Sequence, residues 1–150
     1  RAAIEAGGVS ANGAVVARPS DLIDEDAVLE VAQPHPWVSR GGVKLAAALD
    51  AFHIDPANRV CLDVGASTGG FTHVLLSRGA ARVYAVDVGR DQLHASVRAD
   101  PRVVSLEQTD ARRLTRTLIP EPPSLIVCDA SFIGAAKVLT TPASTSRASR

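Results

Sequence analysis

A carboxylate at the tip of a buried strand is placed to meet a ligand, and this chain has several. Asp63 lies within Val60-Cys61-Leu62-Asp63-Val64, directly ahead of Gly65-Ala66-Ser67-Thr68-Gly69-Gly70-Phe71-Thr72. An apolar strand that turns through small residues into an apolar helix brings bare backbone against a nucleotide-like cofactor. Glycine lacks a Cβ, so such a turn can take positive φ and leave room for the ligand. Dinucleotide sites follow the pattern G-x-G-x-x-G, whereas here the spacing is Gly65-x-x-x-Gly69-Gly70. An acidic strand end also suits a cationic, hydroxyl-rich ligand better than a diphosphate. S-adenosylmethionine, with its sulfonium, amino group and ribose, has that character.

Asp87 closes Val83-Tyr84-Ala85-Val86, about 20 residues beyond the glycine turn, where an acid accepts ribose hydroxyls. The alternative is a cap on the helix that follows near Arg90. Asp110 follows the next apolar run, in Glu107-Gln108-Thr109-Asp110-Ala111. It could accept from an adenine amino group or cap a short helix carrying Arg112 and Arg113. Asp129 ends Leu125-Ile126-Val127-Cys128, placed either to touch reacting groups or, with Ser131, to cap a helix. Lys44 stands after the Gly41-Gly42 pair in a chain that otherwise uses arginine, Lys137 excepted. Lysine serves proton transfer and charge stabilisation, although pattern alone favours a solvated side chain. His35, His53, His73 and His94 show no metal or nucleophile spacing, so no metal is expected.

These residues need elements to hold them. From residue 59 onward the chain alternates apolar runs with helical patterns. Strands are predicted at 60–64, 82–87, 102–106 and 124–128, with helices near 70–78, 90–99 and 110–118. Near-continuous apolar strands joined by helices imply a parallel sheet covered on both faces, with binding at the strands' carboxyl ends. Ahead of it, Leu45, Ala48, Leu49 and Phe52 mark an amphipathic helix over 43–52. The fold class is therefore α/β, a Rossmann-like domain. Residues 1–33 read differently: a helix over 2–6 stopped at Gly7-Gly8, a hairpin turn at Asn12-Gly13 and a strand over 27–31. Residues 34–38 form a proline-stiffened linker.

Length and composition set the bounds. With 150 residues and 46% hydrophobic content the chain can bury one ordinary core. A net charge of zero gives no global sign of a nucleic-acid partner. No apolar run reaches the ~18 residues that would span a bilayer, and the lack of a leader makes a cytoplasmic setting the expectation. Cys61 and Cys128, each in an apolar strand, read as reduced small hydrophobes. The chain starts at Arg1 without methionine, and residues 138–150 have the composition of a disordered tail.

Together these motifs carry a family resemblance. Val38-Ser39-Arg40-Gly41-Gly42-Val43-Lys44-Leu45, Leu62 through Thr72, Val83 through Gly89, Asp100-Pro101-Arg102-Val103-Val104 and Asp129-Ala130-Ser131-Phe132-Ile133 occur in order. The chain resembles the TlyA-type hemolysin and ribosomal RNA methyltransferase family, and Ala3 through Ser20 is similar to the second half of an S4 RNA-binding module. The resemblance implies an FtsJ-like, S-adenosylmethionine-dependent methylation of ribose 2′-hydroxyls in ribosomal RNA, with ribosomal subunits as partners. It places Lys44 and Asp129 on two members of a Lys-Asp-Lys-Glu catalytic set, and so reverses the reading of Lys44. It sets Asp63 and Gly65, Ala66, Ser67, Thr68, Gly69, Gly70 and Phe71 along the methionine part. Asp87 with Val88 falls on the ribose, and Asp110 with Ala111 near the adenine. Arg1, Arg18 and Arg40 are the expected RNA contacts. The remaining Lys and Glu would belong downstream of residue 134, and the front of the S4 module is absent. The expectation is therefore a fragment, with an incomplete methyltransferase domain over 39–137 and little or no activity of its own.

Three other readings stand beside this one. A non-catalytic RNA-binding module would need only the arginines. A nicotinamide-dependent oxidoreductase would use Asp87 equally well but conflicts with the glycine spacing. Pore formation is suggested by the family's name alone, with no amphipathic membrane segment behind it.

Overall fold

The computed structural model describes residues 1–5, 7–32 and 35–129. The expected tail over 138–150 and everything after Asp129 lie outside the described residues, as does part of the predicted linker.

The first unit is a short helix α1 (Ala2–Glu5) followed by three strands, β1 (Val9–Ala11), β2 (Ala14–Val15) and β3 (Leu29–Val31), in the order β2-β1-β3. Both neighbours of β1 are antiparallel to it. Asn12 and Gly13 take φ of 49° and 82°, the paired positive angles of a tight two-residue hairpin turn. The Asn12 side chain also accepts the Val28 N–H at 2.9 Å, which fastens the start of β3 to the hairpin.

The second unit contains α2 (Gly41–Ala51), β4 (Val60–Val64), α3 (Gly70–Ser77), β5 (Arg82–Val86), α4 (Ala95–Arg98), β6 (Val103–Leu106) and β7 (Leu125–Cys128). Its four strands are parallel and ordered β6-β5-β4-β7. The chain builds outward from β4 to β6 and then returns to pair β7 with β4. That return creates the reversal of strand order beside which α/β proteins bind ligands.

Side-chain alternation along the strands divides the core in two. Cys61, Val83, Ala85 and Val127 pack under Leu45 and Leu49 of α2, Val74 and Leu75 of α3, and Val97 of α4. Leu62, Val64, Tyr84 and Val86 meet Leu114 and Ile119 on the opposite side. That second face differs from the sequence expectation. Instead of a helix over 110–118, a single 3₁₀ turn (Ala111–Arg113) and irregular chain cover it. The helix near 90–99 likewise shrinks to α4, because His94 rather than an earlier residue caps it. Phe52, expected on the buried face of α2, is its C-cap residue and is exposed.

Helix α2 is held against α3 by close backbone contact. A Cβ on Gly70 would come within 2.9 Å of the Gly42 nitrogen and would overlap Ser39 Oγ. The Val38 N–H donates to His73 Nδ1 at 3.1 Å, and Trp37 meets the His73 ring edge-on with centroids 5.4 Å apart. These contacts fix the start of α2, and Lys44 with it, relative to the glycine turn.

Candidate active site

The glycine turn leaves β4 with its conformation set by three left-handed residues. Gly65, Ser67 and Gly69 have φ of 77°, 50° and 96°. Gly65 and Ala66 donate to the Val86 carbonyl at 2.8 and 3.0 Å, so the turn folds over the end of β5. At Gly69 a side chain would be strained by the backbone and would press a Cβ to 2.7 Å from Leu93. The turn therefore depends on small residues at these points, whatever it binds.

Asp87 anchors it from below. One carboxylate oxygen accepts the Ser67 N–H at 2.7 Å and the other the Gly89 N–H at 2.7 Å. A carboxylate has about four acceptor positions, so these two bonds leave capacity toward the cavity. The helix-cap reading of Asp87 does not hold here, since α4 begins eight residues later with His94 as its cap.

Asp63 occupies a different place. Strand alternation turns its side chain under α3, where it is 1% exposed and accepts the Thr72 hydroxyl at 2.7 Å. Burial, opposed by the Thr72 bonds and assisted by Asp87 and Asp129, pushes its carboxyl up to about 7. Its carboxyl does not line the cavity. Thr72 escaped the sequence reading, although a buried acid requires a donor and a hydroxyl one helical turn into α3 is the available one.

At the carboxyl ends of the parallel strands lies a cavity of about 570 Å³. Val64 and Gly65 after β4, Val86, Asp87, Val88 and Gly89 after β5, and Cys128 and Asp129 after β7 line it. Ser67, Gln92, Thr109, Asp110, Ala111 and Arg112 complete the wall. Of the sequence-predicted donor residues, Gly65, Ser67, Asp87, Val88, Asp110 and Ala111 are thus brought together. Ala66, Thr68, Gly69, Gly70 and Phe71 shape the turn and its helix without lining this cavity. Gln92 and Cys128 are wall residues that carried no sequence signal. Burial raises the Cys128 thiol above its ordinary range, so it presents an apolar sulfur.

Asp110 is engaged more fully than Asp87. It caps the 3₁₀ turn by accepting the Arg112 N–H, and the Arg112 guanidinium grips both of its oxygens. The guanidinium and backbone bonds of Arg112 hold this carboxyl down at about 2. The capping alternative is therefore realised.

Lys44 is exposed on α2, yet its Nζ lies 3.9 Å from Asp129 Oδ2. Asp129 is part of the cavity wall, so the pair sets a cation beside the cavity. Whether Asp129 also caps a helix depends on residues outside the described ones. Arg1 and Arg18 pair with Glu5 and Asp21 at 2.9 and 3.1 Å, while Arg40 is the exposed N-cap residue of α2. Among the described residues no group of three or more His, Cys, Asp or Glu is arranged to hold a metal, and no helix is long and apolar enough to cross a membrane.

A cavity of this size suits a nucleoside-sized ligand. The residues fit S-adenosylmethionine on the structure's own terms: bare backbone at Gly65, open acceptor positions on Asp87 and an acidic wall for a cationic ligand. Comparison with known proteins agrees. Residues 37–147 match the FtsJ-like methyltransferase family. The chain is 51% identical over 138 residues to the Mycobacterium tuberculosis protein named 16S/23S rRNA (cytidine-2'-O)-methyltransferase TlyA, covering 91% of this chain and 52% of that protein. It is 46% identical over 136 residues to hemolysin A of Brachyspira hyodysenteriae, covering 90% and 57%. A solved structure of a Streptococcus thermophilus protein named for the hemolysins superposes with a TM-score of 0.75 at 39% identity, over 95% of this chain and 53% of that one. The chain thus spans about half the length of these relatives. With the glycine turn, the strand-end acids and the parallel sheet in place, the chain belongs to the FtsJ-like methyltransferase family.

Proposed function

We propose that this chain binds S-adenosylmethionine in the cavity at the sheet's carboxyl edge and serves methylation of a ribose 2′-hydroxyl in ribosomal RNA. One observation carries the reading: Lys44 Nζ stands 3.9 Å from Asp129 Oδ2, beside a cavity that also presents Asp87 and the bare turn. When bound, S-adenosylmethionine would supply an electrophilic methyl group carried on a sulfonium. The protein's share is positioning and charge. Gly65 and Ser67 would hold the methionine part, Asp87 would take the ribose hydroxyls, and Asp110 with Ala111 would border the adenine. Asp63 acts at one remove, holding the turn through Thr72. A 2′-hydroxyl is a weak nucleophile. The Lys44 ammonium, oriented by Asp129, would stabilise negative charge on the attacking oxygen as the hydroxyl gives up its proton to water, and a fixed approach makes the in-line attack effectively unimolecular.

Residues 1–33 would supply an S4-like RNA-contacting unit through Arg1 and Arg18, with Arg40 nearer the site. The ion pairs at Arg1 and Arg18 are exposed and weak, so phosphates can compete for those guanidinium groups. A ribosomal RNA substrate would set the reaction in the cytoplasm. The direct test incubates the chain with ribosomal subunits and methyl-labelled S-adenosylmethionine, then maps label to ribose 2′-oxygens. Calorimetry with S-adenosylmethionine against NAD is the companion measurement. NAD binding without S-adenosylmethionine binding would overturn the reading.

A further inference from the structure

Two acids of the cavity wall differ in one respect that a common role in ligand binding does not explain. Asp87 gives two of its acceptor positions to backbone N–H groups. Asp110 is held on both oxygens by three N–H groups, all from Arg112, with the Nε–H shared between the two oxygens. A carboxylate has about four acceptor positions, so Arg112 alone takes most of those on Asp110, and its guanidinium spans both oxygens. An exocyclic amino group arriving in the cavity therefore competes with the guanidinium for this carboxylate. Yet the pair is exposed, with the Asp110 and Arg112 side chains 31% and 64% accessible, and such pairs are weak enough for a ligand to displace. Arg112 also lines the cavity, with Arg113 exposed beside it on the same turn.

We propose that Arg112 is a displaceable latch on Asp110: an adenine amino group takes over the carboxylate, and the released guanidinium becomes a phosphate contact for RNA at the cavity mouth. The proposal rests on the reading that Asp110 faces the donor's adenine, and it adds an order to binding. Donor occupancy switches on one cation of the RNA surface, so donor and RNA bind with positive coupling, each strengthening the other by the same factor. The backbone N–H of Arg112 stays on Asp110, so the 3₁₀ turn survives while the side chain moves. Arg112 thereby acts through Asp110 on the donor and directly on RNA.

The test uses S-adenosylhomocysteine, an unreactive stand-in for the donor, and a short fluorescein-labelled RNA of mixed sequence, with the whole chain. Arg112→Ala should bind S-adenosylhomocysteine about two- to fivefold more tightly than the unaltered protein, the range a released surface ion pair spans. In the unaltered protein, saturating S-adenosylhomocysteine should tighten RNA binding and steepen its dependence on log salt by about 0.7, one single-strand phosphate contact. Arg112→Ala should lose both effects. Arg112→Lys, which keeps the charge but not the two-pronged grip, should bind S-adenosylhomocysteine like the alanine variant. It should also show the steeper salt dependence without any donor present. Weaker S-adenosylhomocysteine binding by Arg112→Ala would overturn the latch, because the guanidinium would then be a direct donor contact. An RNA salt slope in the unaltered protein that ignores S-adenosylhomocysteine would overturn it too. Failure of the unaltered protein to bind S-adenosylhomocysteine at all is a different result, and removes the donor-site reading itself.

Discussion

At the scale of single residues, the strand-end acids separate by what already holds them. Asp87 keeps acceptor capacity, and hydrogen bonds to a charged group contribute about 1.5–3 kcal/mol. Asp87→Asn should therefore weaken S-adenosylmethionine binding about 10- to 100-fold in a calorimetric titration, and a loss smaller than threefold would take Asp87 off the ribose. Lys44→Ala should remove whatever methyl transfer to ribosomal RNA the unaltered chain supports while donor affinity, read by calorimetry, stays within a few-fold. Asp63 makes a statement about pH. Its carboxyl sits at about 7 rather than 3.8 because burial penalises the charge, so the native state holds this proton more tightly than the unfolded chain does. The linked stability is fully present below about pH 4 and is lost as pH rises toward 7, to an extent of roughly 4 kcal/mol. Asp63→Asn cannot titrate. Across that window urea denaturation of the variant should lack this downward slope, and parallel pH profiles for the two proteins would disprove the assignment.

At the scale of elements, the site depends on how α2 and α3 meet. Lys44 rides on α2 and the glycine turn leads into α3, and the two helices touch through Gly42 and Gly70. At Gly70 a Cβ would come within 2.9 Å of a backbone nitrogen, which cannot swing away as a long side chain would. Overpacking of this kind costs about 1–3 kcal/mol. Gly70→Ala should lower the urea midpoint accordingly and move Lys44 away from Asp129, reducing methyl transfer more than the stability loss accounts for. Unchanged stability and transfer would mean that α2 is placed by Trp37, His73 and the buried leucines alone. Arg102 plays a quieter part, donating from just ahead of β6 to the Leu76 carbonyl at 3.1 Å and so tying the end of α3 to the sheet.

At the scale of the whole molecule, a ligand held between the ends of β4, β5 and β7 binds the folded sheet and not the unfolded chain. Such a ligand stabilises by mass action, about 2.7 kcal/mol at one hundred times its Kd. Saturating S-adenosylmethionine should raise the Tm of the chain by several degrees, and NAD at the same concentration should not. Equal shifts for both would indicate a general nucleotide crevice rather than a methyl-donor site.

The sequence by itself determined the order of strands and helices from Val60 onward, the parallel sheet and the position of the glycine turn. Each follows from local periodicity and from residues with special backbone freedom. It also indicated which acids end strands, because an acid after an apolar run is visible in one dimension. What those acids do was decided in three dimensions. Alternation and the covering helix buried Asp63 on Thr72, the hydrogen bonds of the turn left Asp87 open, and Arg112 engaged both oxygens of Asp110. The helix expected near 90–99 shrank because His94 caps it late, and the one expected near 110–118 stopped at Arg113 because Leu114 turns extended and enters the core. The approach of Lys44 to Asp129 joins residues 85 positions apart, and no local pattern encodes such a meeting. It exists because α2 packs on α3 and β7 returns beside β4, bringing separate carboxyl ends to one edge.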